Sequence, residues 1–555
     1  MLVILVGTLF LLTGAFHGAL WFDESYSVAI ARLPYRQIWS VGSFDVHPVL
    51  YYWGLHTLYL VFGAHLVVYR VFTICGTVSL GLLGVTHIRR DYGLRAGVLF
   101  SFIVLFLPYF SYMSIQIRMY SWATFAVMLA WVYALRIGRA ERCPARYWVV
   151  FALASLASAY LHYYALLSVF IINVCLLIYL VTRHATRRRD LTVFFVQAVL
   201  QVVVYCPWIF VLVSQLGVVS DDYWVRFTAS TLIELLRYPV VTMQLGFALG
   251  GNYGSDITLL SSLLVSCLVL WMCWLAAHLV RQARARRASA PSTASGEVSD
   301  AAEQGVHADV STSSTAQVHP AVRARRCWSY ITREDNLPAF LGLGLYVALV
   351  LVATLASVVM QRLMVYYRYL SIGLGPAVLF VVWLVLKADS RTIVKAGSAI
   401  YLAIALLGQG LMISDDYSPL NSAPFDYLAQ NMQEGDVLVS SDIGFVGQTS
   451  LEFPDTDQCY LDWQNSKSWG RAYDVYSPPL HDIYSWQEVL DSGADRIWML
   501  GTSSDATSPR DLQDMLKTKN VVDDGTHEMT QYETFYRPYE RTYYTVALVE
   551  RAGGE

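Results

Sequence analysis

A chain of 555 residues that is 56% hydrophobic and 15% charged, with a mean hydropathy of +0.44, carries more apolar surface than a soluble fold can bury, which excludes a soluble globular protein and implies a polytopic membrane protein. The net charge of -3 sums basic and acidic segments that lie apart along the chain, so it points to no nucleic-acid partner. Eight cysteines form no Cys-x-x-Cys pair and only Cys459 lies in the polar C-terminal part, which excludes an internal disulfide there and gives no sign of zinc or redox chemistry.

The first apolar run has no basic leader and no Ala-x-Ala cleavage site, so it reads as a retained helix. Spans are predicted at roughly 2–20, 67–88, 96–112, 119–137, 147–162, 164–182, 191–213, 257–280, 337–360, 369–386 and 392–413, each near the length that crosses about 30 Å of hydrocarbon. These make about 11 transmembrane helices, an odd number that puts the N-terminus and the tail beyond Ser414 on opposite sides. Val49–Gly63 is short and rich in Tyr and Trp, and it is read as an interfacial helix, as is the mildly amphipathic 25–39. With that choice Arg89, Arg90, Arg136, Arg139, Arg183, Arg187, Arg281, Arg284, Arg323, Lys387 and Arg391 share one face, the pattern of a cytoplasmic side. The N-terminus is then cytoplasmic and the C-terminal part extracytoplasmic.

Residues 1–413 read as the membrane domain, with an outer loop at 21–66. Within it, 282–336 is low in large apolar residues and reads as a disordered cytoplasmic linker. Residues 214–256 form a long outer loop whose Leu232–Gly246 portion either re-enters the membrane or lies on it. From 414 to 555 a helix-like Pro424–Met432 and strand-like Val437–Ser440, Arg496–Leu500 and Tyr543–Val549 imply a small extracytoplasmic α/β domain. Asp455-Thr-Asp457 has the Asp-x-Asp form of nucleotide-sugar enzymes, on a side of the membrane where such donors are absent. Gly342-Leu-Gly344 lies in an apolar run with no phosphate loop after it and reads as helix packing. No Walker or His-Glu-x-x-His motif occurs.

Polar motifs gather at the outer helix ends: Asp23-Glu24, Asp45-Val-His47-Pro48, Gln116-Ile-Arg118-Met-Tyr120, His162-Tyr163-Tyr164 and Tyr366-Tyr367-Arg368-Tyr369. Ionisable groups so close to hydrocarbon are costly and mark candidate functional positions. Carboxylates can take a proton from a hydroxyl, and arginines can neutralise a departing phosphate, which suits transfer from a lipid-phosphate donor. Asp23, Glu24 and Asp45 are therefore candidate catalytic residues, and His47, Arg118, Tyr120, His162, Tyr163 and Arg368 candidate substrate-binding residues. Each has a plainer reading. Asp23 fits the N-cap of a helix at 24–33, Glu24 a first-turn partner that tunes Asp23, and Asp45 with His47 a turn closed by Pro48. The arginines fit snorkelling to headgroups, though they sit on the side the charge rule depletes, and the tyrosine pairs fit an aromatic belt. No clear set of metal ligands is present, although Asp23, Asp45 and His47 are donor types that hold a divalent cation.

The ordered set Trp-Phe-Asp23-Glu24-Ser-Tyr-Ser, Asp45-Val-His47-Pro48-Val-Leu-Tyr-Tyr, Arg118-Met-Tyr120, His162-Tyr163-Tyr164-Ala and Arg368-Tyr369-Leu resembles bacterial members of the GT-C glycosyltransferase superfamily, the branch with protein O-mannosyltransferases and lipid A aminoarabinose transferases. The resemblance covers most of 1–410. It implies a polytopic inverting enzyme in the cell membrane that takes sugar from a polyprenyl-phosphate carrier and passes it to a hydroxyl of a cell-envelope glycan, lipid or protein. Asp23 would be general base or acceptor orienter, and outer-face basic residues would hold the phosphate. The chain lacks the β-trefoil insertion of protein mannosyltransferases and has His47-Pro48-Val where many relatives have His-Pro-Pro, which sets protein acceptors and mannose apart from the core expectation. The rival readings are a lipid-linked polysaccharide polymerase or ligase, and a lipid or sugar transporter. A transporter should show charged or broken helices at mid-membrane depth.

Overall fold

The computed structural model describes residues 1–222, 255–288, 336–362, 364–440, 443–461, 475–476, 481–483, 488–489, 493–503 and 527–551. The protein is an α-helical polytopic membrane protein with a small C-terminal sheet. In chain order the helices are α1 (Leu2–Leu12), α2 (Phe22–Ala31), α3 (Tyr35–Gly42), α4 (Leu50–Phe62), α5 (Leu66–Tyr92), α6 (Leu94–Phe106), α7 (Pro108–Ile115), α8 (Tyr120–Arg139), α9 (Ala145–Leu161), α10 (Tyr163–Thr182), α11 (Arg187–Gln215), α12 (Ser255–Ala288), α13 (Leu337–Met360), α14 (Tyr367–Lys387) and α15 (Arg391–Asp416). Among the described residues eight of these, α5, α8 and α10 to α15, are long and apolar enough to cross a membrane. The bent pair α6 and α7 makes a ninth crossing if taken as one, and α1 and α9 are shorter apolar helices.

Two predicted spans are therefore not single helices. The run at 2–20 is helical only to Leu12, where 11 residues rise about 16 Å. Its exposed end is satisfied from far away: Gln409 of α15 donates to Phe10 O at 3.2 Å and to Thr13 Oγ1 at 2.8 Å, and accepts from Ser111 Oγ at 2.5 Å. The run at 96–112 bends by 59° between α6 and α7. Pro108 has no N–H and forces Leu107 out of helical geometry, to φ -68° and ψ 118°. Pro34 likewise splits the stretch at 25–39 into α2 and α3. Residues 49–63 form the 13-residue α4, short of a full crossing. The predicted linker at 282–336 begins as the last turns of α12, and its remainder to 335, like Leu232–Gly246, lies outside the described residues.

Small residues let the helices close. A side chain on Gly342 of α13 would run into Pro376 O of α14, while nothing lies within 4 Å of such an atom at Gly344. Gly342 thus has the packing role read from sequence, and Gly344 does not.

After α15 come α16 (Ala423–Asn431) and α17 (Ile443–Glu452), then a six-stranded sheet of β1 (Val437–Ser440), β2 (Asp457–Leu461), β3 (His481–Ile483), β4 (Arg496–Ser503), β5 (His527–Arg537) and β6 (Thr542–Arg551) in the order β3-β2-β1-β4-β6-β5. The first four strands are parallel, and the β5–β6 hairpin adds antiparallel to β4. Alternation along β4 sends Ile497 and Met499 to one face and Trp498 and Leu500 to the other, where Phe425 and Leu428 of α16 and Phe445 of α17 cover them. Asp436 closes this core by accepting from Trp498 Nε1 at 2.7 Å and Arg496 Nε at 3.0 Å. The sheet docks on the bundle end that carries α2, where α17 approaches so closely that a side chain at Gly447 would meet Ser25 Oγ.

Gly342→Val should cost about 1–3 kcal/mol by overpacking, seen as a lower unfolding temperature in detergent, while Gly344→Val should leave that temperature unchanged.

Candidate active site

The approach to α2 is extended at Trp21 (φ -118°, ψ 174°), which occupies the N-cap position without a side-chain cap. Asp23 therefore lies inside the first turn, so the capping role does not apply to it. Consecutive residues of a helix point about 100° apart, and Asp23 and Glu24 accordingly meet different partners. Asp23 Oδ2 accepts from Arg368 Nη1 at 2.8 Å and lies 3.9 Å from Arg118 Nε, with its side chain 21% exposed. Glu24 is fully buried. Its Oε1 accepts from Ile117 N at 2.9 Å, its Oε2 accepts from Tyr539 Oη at 2.5 Å, and Arg70 Nη2 stands 3.8 Å away.

The break between α7 and α8 presents Arg118, 2% exposed. Its Nη1 donates to Asp23 O at 3.1 Å, Ser27 Oγ at 3.3 Å and Tyr52 Oη at 3.2 Å, and its Nη2 faces the His47 ring at 3.2 Å. Asp45 Oδ2 is 3.3 Å from His47 Nδ1 and accepts from Tyr52 Oη at 3.2 Å. With Nδ1–H donated to the carboxylate, the imidazole turns its Nε2 lone pair to Arg118. Arg368 is enclosed by the rings of Trp21, Tyr366 and Tyr369, with its guanidinium carbon 5.1, 4.8 and 5.9 Å from their centroids.

Asp23, Asp45, His47, Arg118 and Arg368, five of the residues singled out from sequence, thus form one contiguous cluster at a single end of the bundle. Tyr120 and His162 border it, their rings 5.5 Å apart and His162 5.7 Å from His47. His162 caps α10, its Nδ1 accepting from Tyr164 N at 3.0 Å. Tyr163 sits one layer away: it bonds Gln215, accepts from Trp208 Nε1 at 3.1 Å, and Gln215 in turn donates to Ser43 O at 3.0 Å and to Asp45 O. Tyr163 supports the Asp45 loop from behind.

The cluster has buried donors to spare. Arg118 Nε, Arg368 Nε, Tyr120 Oη and Trp21 Nε1 are all buried without a hydrogen-bond partner. An unpaired buried N–H or O–H costs about 1–3 kcal/mol, so these four groups can take further acceptor atoms.

Sequence reading missed Arg70, Tyr52, Trp21 as an active member, Gln215 and Tyr539. Arg70 carried a signal, as a lone arginine in an apolar run. It donates to His17 O at 2.5 Å and Ala19 O at 2.6 Å, fixing the extended segment that delivers α2. Tyr539 had none.

Burial raises the Glu24 carboxyl above its ordinary value, opposed by Arg70 and by the bonds from Tyr539 and Ile117. For Asp45 burial also acts upward, but His47 and Arg118 together outweigh it and hold the carboxyl below its ordinary value. Among the described residues no three His, Cys, Asp or Glu side chains gather as a metal site. Arg118 occupies the space between Asp23 and the Asp45–His47 pair, a cation where a metal would have to sit, so these residues do not fit the divalent ion that their types suggest.

Two cavities adjoin the cluster. An apolar groove of about 610 Å³, lined by Leu50, Tyr51, Phe72, Trp122, Phe125 and Leu161 among others, begins at the chain neighbours of Tyr52 and His162. A polar cavity of about 330 Å³ lies between the helix ends and the β5–β6 turn, lined by Trp21, Gln116, Asp415, Asp416, Tyr539 and Arg541 among others.

No protein-family model matches the chain, and no curated protein matches it. Among solved structures it is similar to ArnT from Cupriavidus metallidurans in the apo state, with a TM-score of 0.47, 12% identity and coverage of 98% of this chain and 97% of that one. It is also similar to ArnT from the same organism bound to undecaprenyl phosphate, with a TM-score of 0.44 at the same identity and coverage.

Because the Asp45 value in the folded protein lies below the ordinary 3.8, its stabilising contribution is full above about 3.8 and is lost as pH falls through the lowered value. Asp45→Asn should remove that acid-side loss, so that its unfolding temperature falls less steeply than the wild type's below about pH 4.

Proposed function

We propose that the protein is an inverting glycosyltransferase of GT-C type that moves a sugar from a polyprenyl-phosphate donor to an acceptor hydroxyl of a cell-envelope glycan, lipid or protein at the outer face of the membrane. The observation that carries this reading is the pair of guanidiniums, Arg118 and Arg368, which both approach Asp23 Oδ2 while each keeps a buried Nε–H without a hydrogen bond. The phosphodiester of a polyprenyl-phosphate sugar, and the phosphate monoester left when the sugar departs, offer paired acceptor oxygens that planar guanidinium forks suit.

In the proposed reaction the donor phosphate takes over hydrogen bonds that Arg368 now gives Asp23, releasing the carboxylate. The acceptor hydroxyl enters from the polar cavity and passes its proton to Asp23 as its oxygen attacks the anomeric carbon. The carbon–oxygen bond to phosphate breaks, and the phosphate leaves unprotonated with its charge offset by Arg118 and Arg368. Attack opposite the leaving group inverts the anomeric carbon. The polyprenyl tail lies in the apolar groove, whose lining is hydrocarbon and ring. Asp45 and His47 hold Arg118 in place, and Tyr120 offers its free hydroxyl to the donor. Glu24, grouped with Asp23 from sequence, has no exposed surface and serves to position the site. The placement of every motif at the end where the sheet docks supports an extracytoplasmic C-terminal domain, and the Arg-rich ends opposite it support a cytoplasmic N-terminus.

The purified protein, reconstituted with a panel of polyprenyl-phosphate sugars, should release sugar to an acceptor or to water, and Asp23→Asn should slow this by about a hundredfold. Lipid exchange between leaflets without turnover would favour a transporter instead. Arg368→Lys keeps the charge but loses the fork and the three-ring enclosure, so KM for the donor should rise by about tenfold or more, a cost of the size expected for a charge-assisted bond.

A further inference from the structure

The segment that delivers Asp23 is held from two sides. On the membrane side Arg70 donates to His17 O and Ala19 O. On the other side the turn of the β5–β6 hairpin enters the bundle: Arg537, 1% exposed, donates Nη2 to Leu20 O at 3.1 Å and Nε to Asn421 O at 2.8 Å. Two residues on, Tyr539 packs its ring 5.1 Å from His17 and donates its hydroxyl to Glu24 Oε2 at 2.5 Å.

Glu24 is not a neutral end point for that bond. Its other oxygen accepts from Ile117 N, the peptide immediately before Arg118, and its own backbone follows Asp23. A carboxylate held rigid at both oxygens fixes the helix turn carrying Asp23 and the chain break carrying Arg118 in one frame. Arg118 then closes the loop by donating to Asp23 O. Removing the Tyr539 hydroxyl leaves Oε2 buried with Arg70 as the remaining cation nearby, so the carboxylate can turn and take Asp23 and Arg118 out of register. Transfer rates respond steeply to misplacement on the ångström scale.

We propose that Tyr539 is a positioning residue of the transfer site, acting through Glu24, so that the membrane-embedded site reaches working geometry only with the hairpin tip of the C-terminal domain seated in it. The inference rests on the glycosyltransferase reading.

The test is a double-mutant cycle on the full-length reconstituted protein with the donor that turns over, using Tyr539→Phe, Glu24→Gln and both together, with rates normalised to folded protein. Tyr427→Phe serves as a control, because its hydroxyl lies in the same domain and bonds only exposed Gln531, at 3.4 Å. Tyr539→Phe should lower kcat about tenfold with donor KM unchanged, and should add little to Glu24→Gln. Tyr427→Phe should match the wild type. Wild-type kcat in Tyr539→Phe would overturn the inference, as would an undiminished Tyr539→Phe effect in the Glu24→Gln background. Absence of turnover in the wild type would instead overturn the glycosyltransferase reading itself.

Discussion

A single buried carboxylate, that of Glu24, joins the parts of this protein that matter to one another. Groups from three separated stretches of chain converge on it: the Ile117 peptide from the break before α8 and Tyr539 from the C-terminal hairpin donate to it, and Arg70 from a membrane-spanning helix stands 3.8 Å away. A buried charge left alone would be severely penalised, and one met by a cation and two hydrogen bonds is tolerated but contributes little net stability. Its value is geometric. Because each partner is costly to leave unpaired, the carboxylate specifies where these three stretches sit relative to Asp23, the residue before it.

That arrangement explains how a partly exposed acid and two arginines can share one small volume at a helix end. Arg118 is enclosed by Asp23 O, Ser27, Tyr52 and His47, and Arg368 by three aromatic rings. Neither guanidinium uses all of its N–H groups. The protein therefore keeps positive charge in place by packing, by neutral acceptors and by the Asp23 carboxylate, with N–H groups left over. The apolar groove and the polar cavity lie next to this cluster, and in the proposed reaction they receive the lipid tail and the acceptor.

Most of the helical frame was legible from apolar run length, since burial in lipid imposes hydrocarbon on nearly every position of a crossing. The runs at 119–137, 337–360 and 392–413 became α8, α13 and α15 within a few residues. Helix interruptions were less legible. Pro34 and Pro108 were visible as breakers, but the end of α1 depends on Gln409, nearly 400 positions later. Asp23, Arg118 and Arg368 stood out because charge at a membrane face is rare and so carries information. Tyr539 did not, because a tyrosine in a polar tail is ordinary, and only the fold brings its hydroxyl to Glu24. The long antiparallel β5–β6 hairpin was read only as a terminal strand, so the element that completes the site was the least visible of all.

In the proposed reaction the arginine pair receives the phosphate of a lipid carrier. A cryo-electron microscopy structure of the protein with a bound polyprenyl phosphate tests it most directly. Phosphate density is expected between Arg118 and Arg368, within hydrogen-bond distance of both Nε atoms, with a tail running into the groove lined by Tyr51, Phe72 and Trp122. Phosphate density on the opposite, arginine-rich ends of the helices, with the Asp23–Arg368 pair intact, would contradict it.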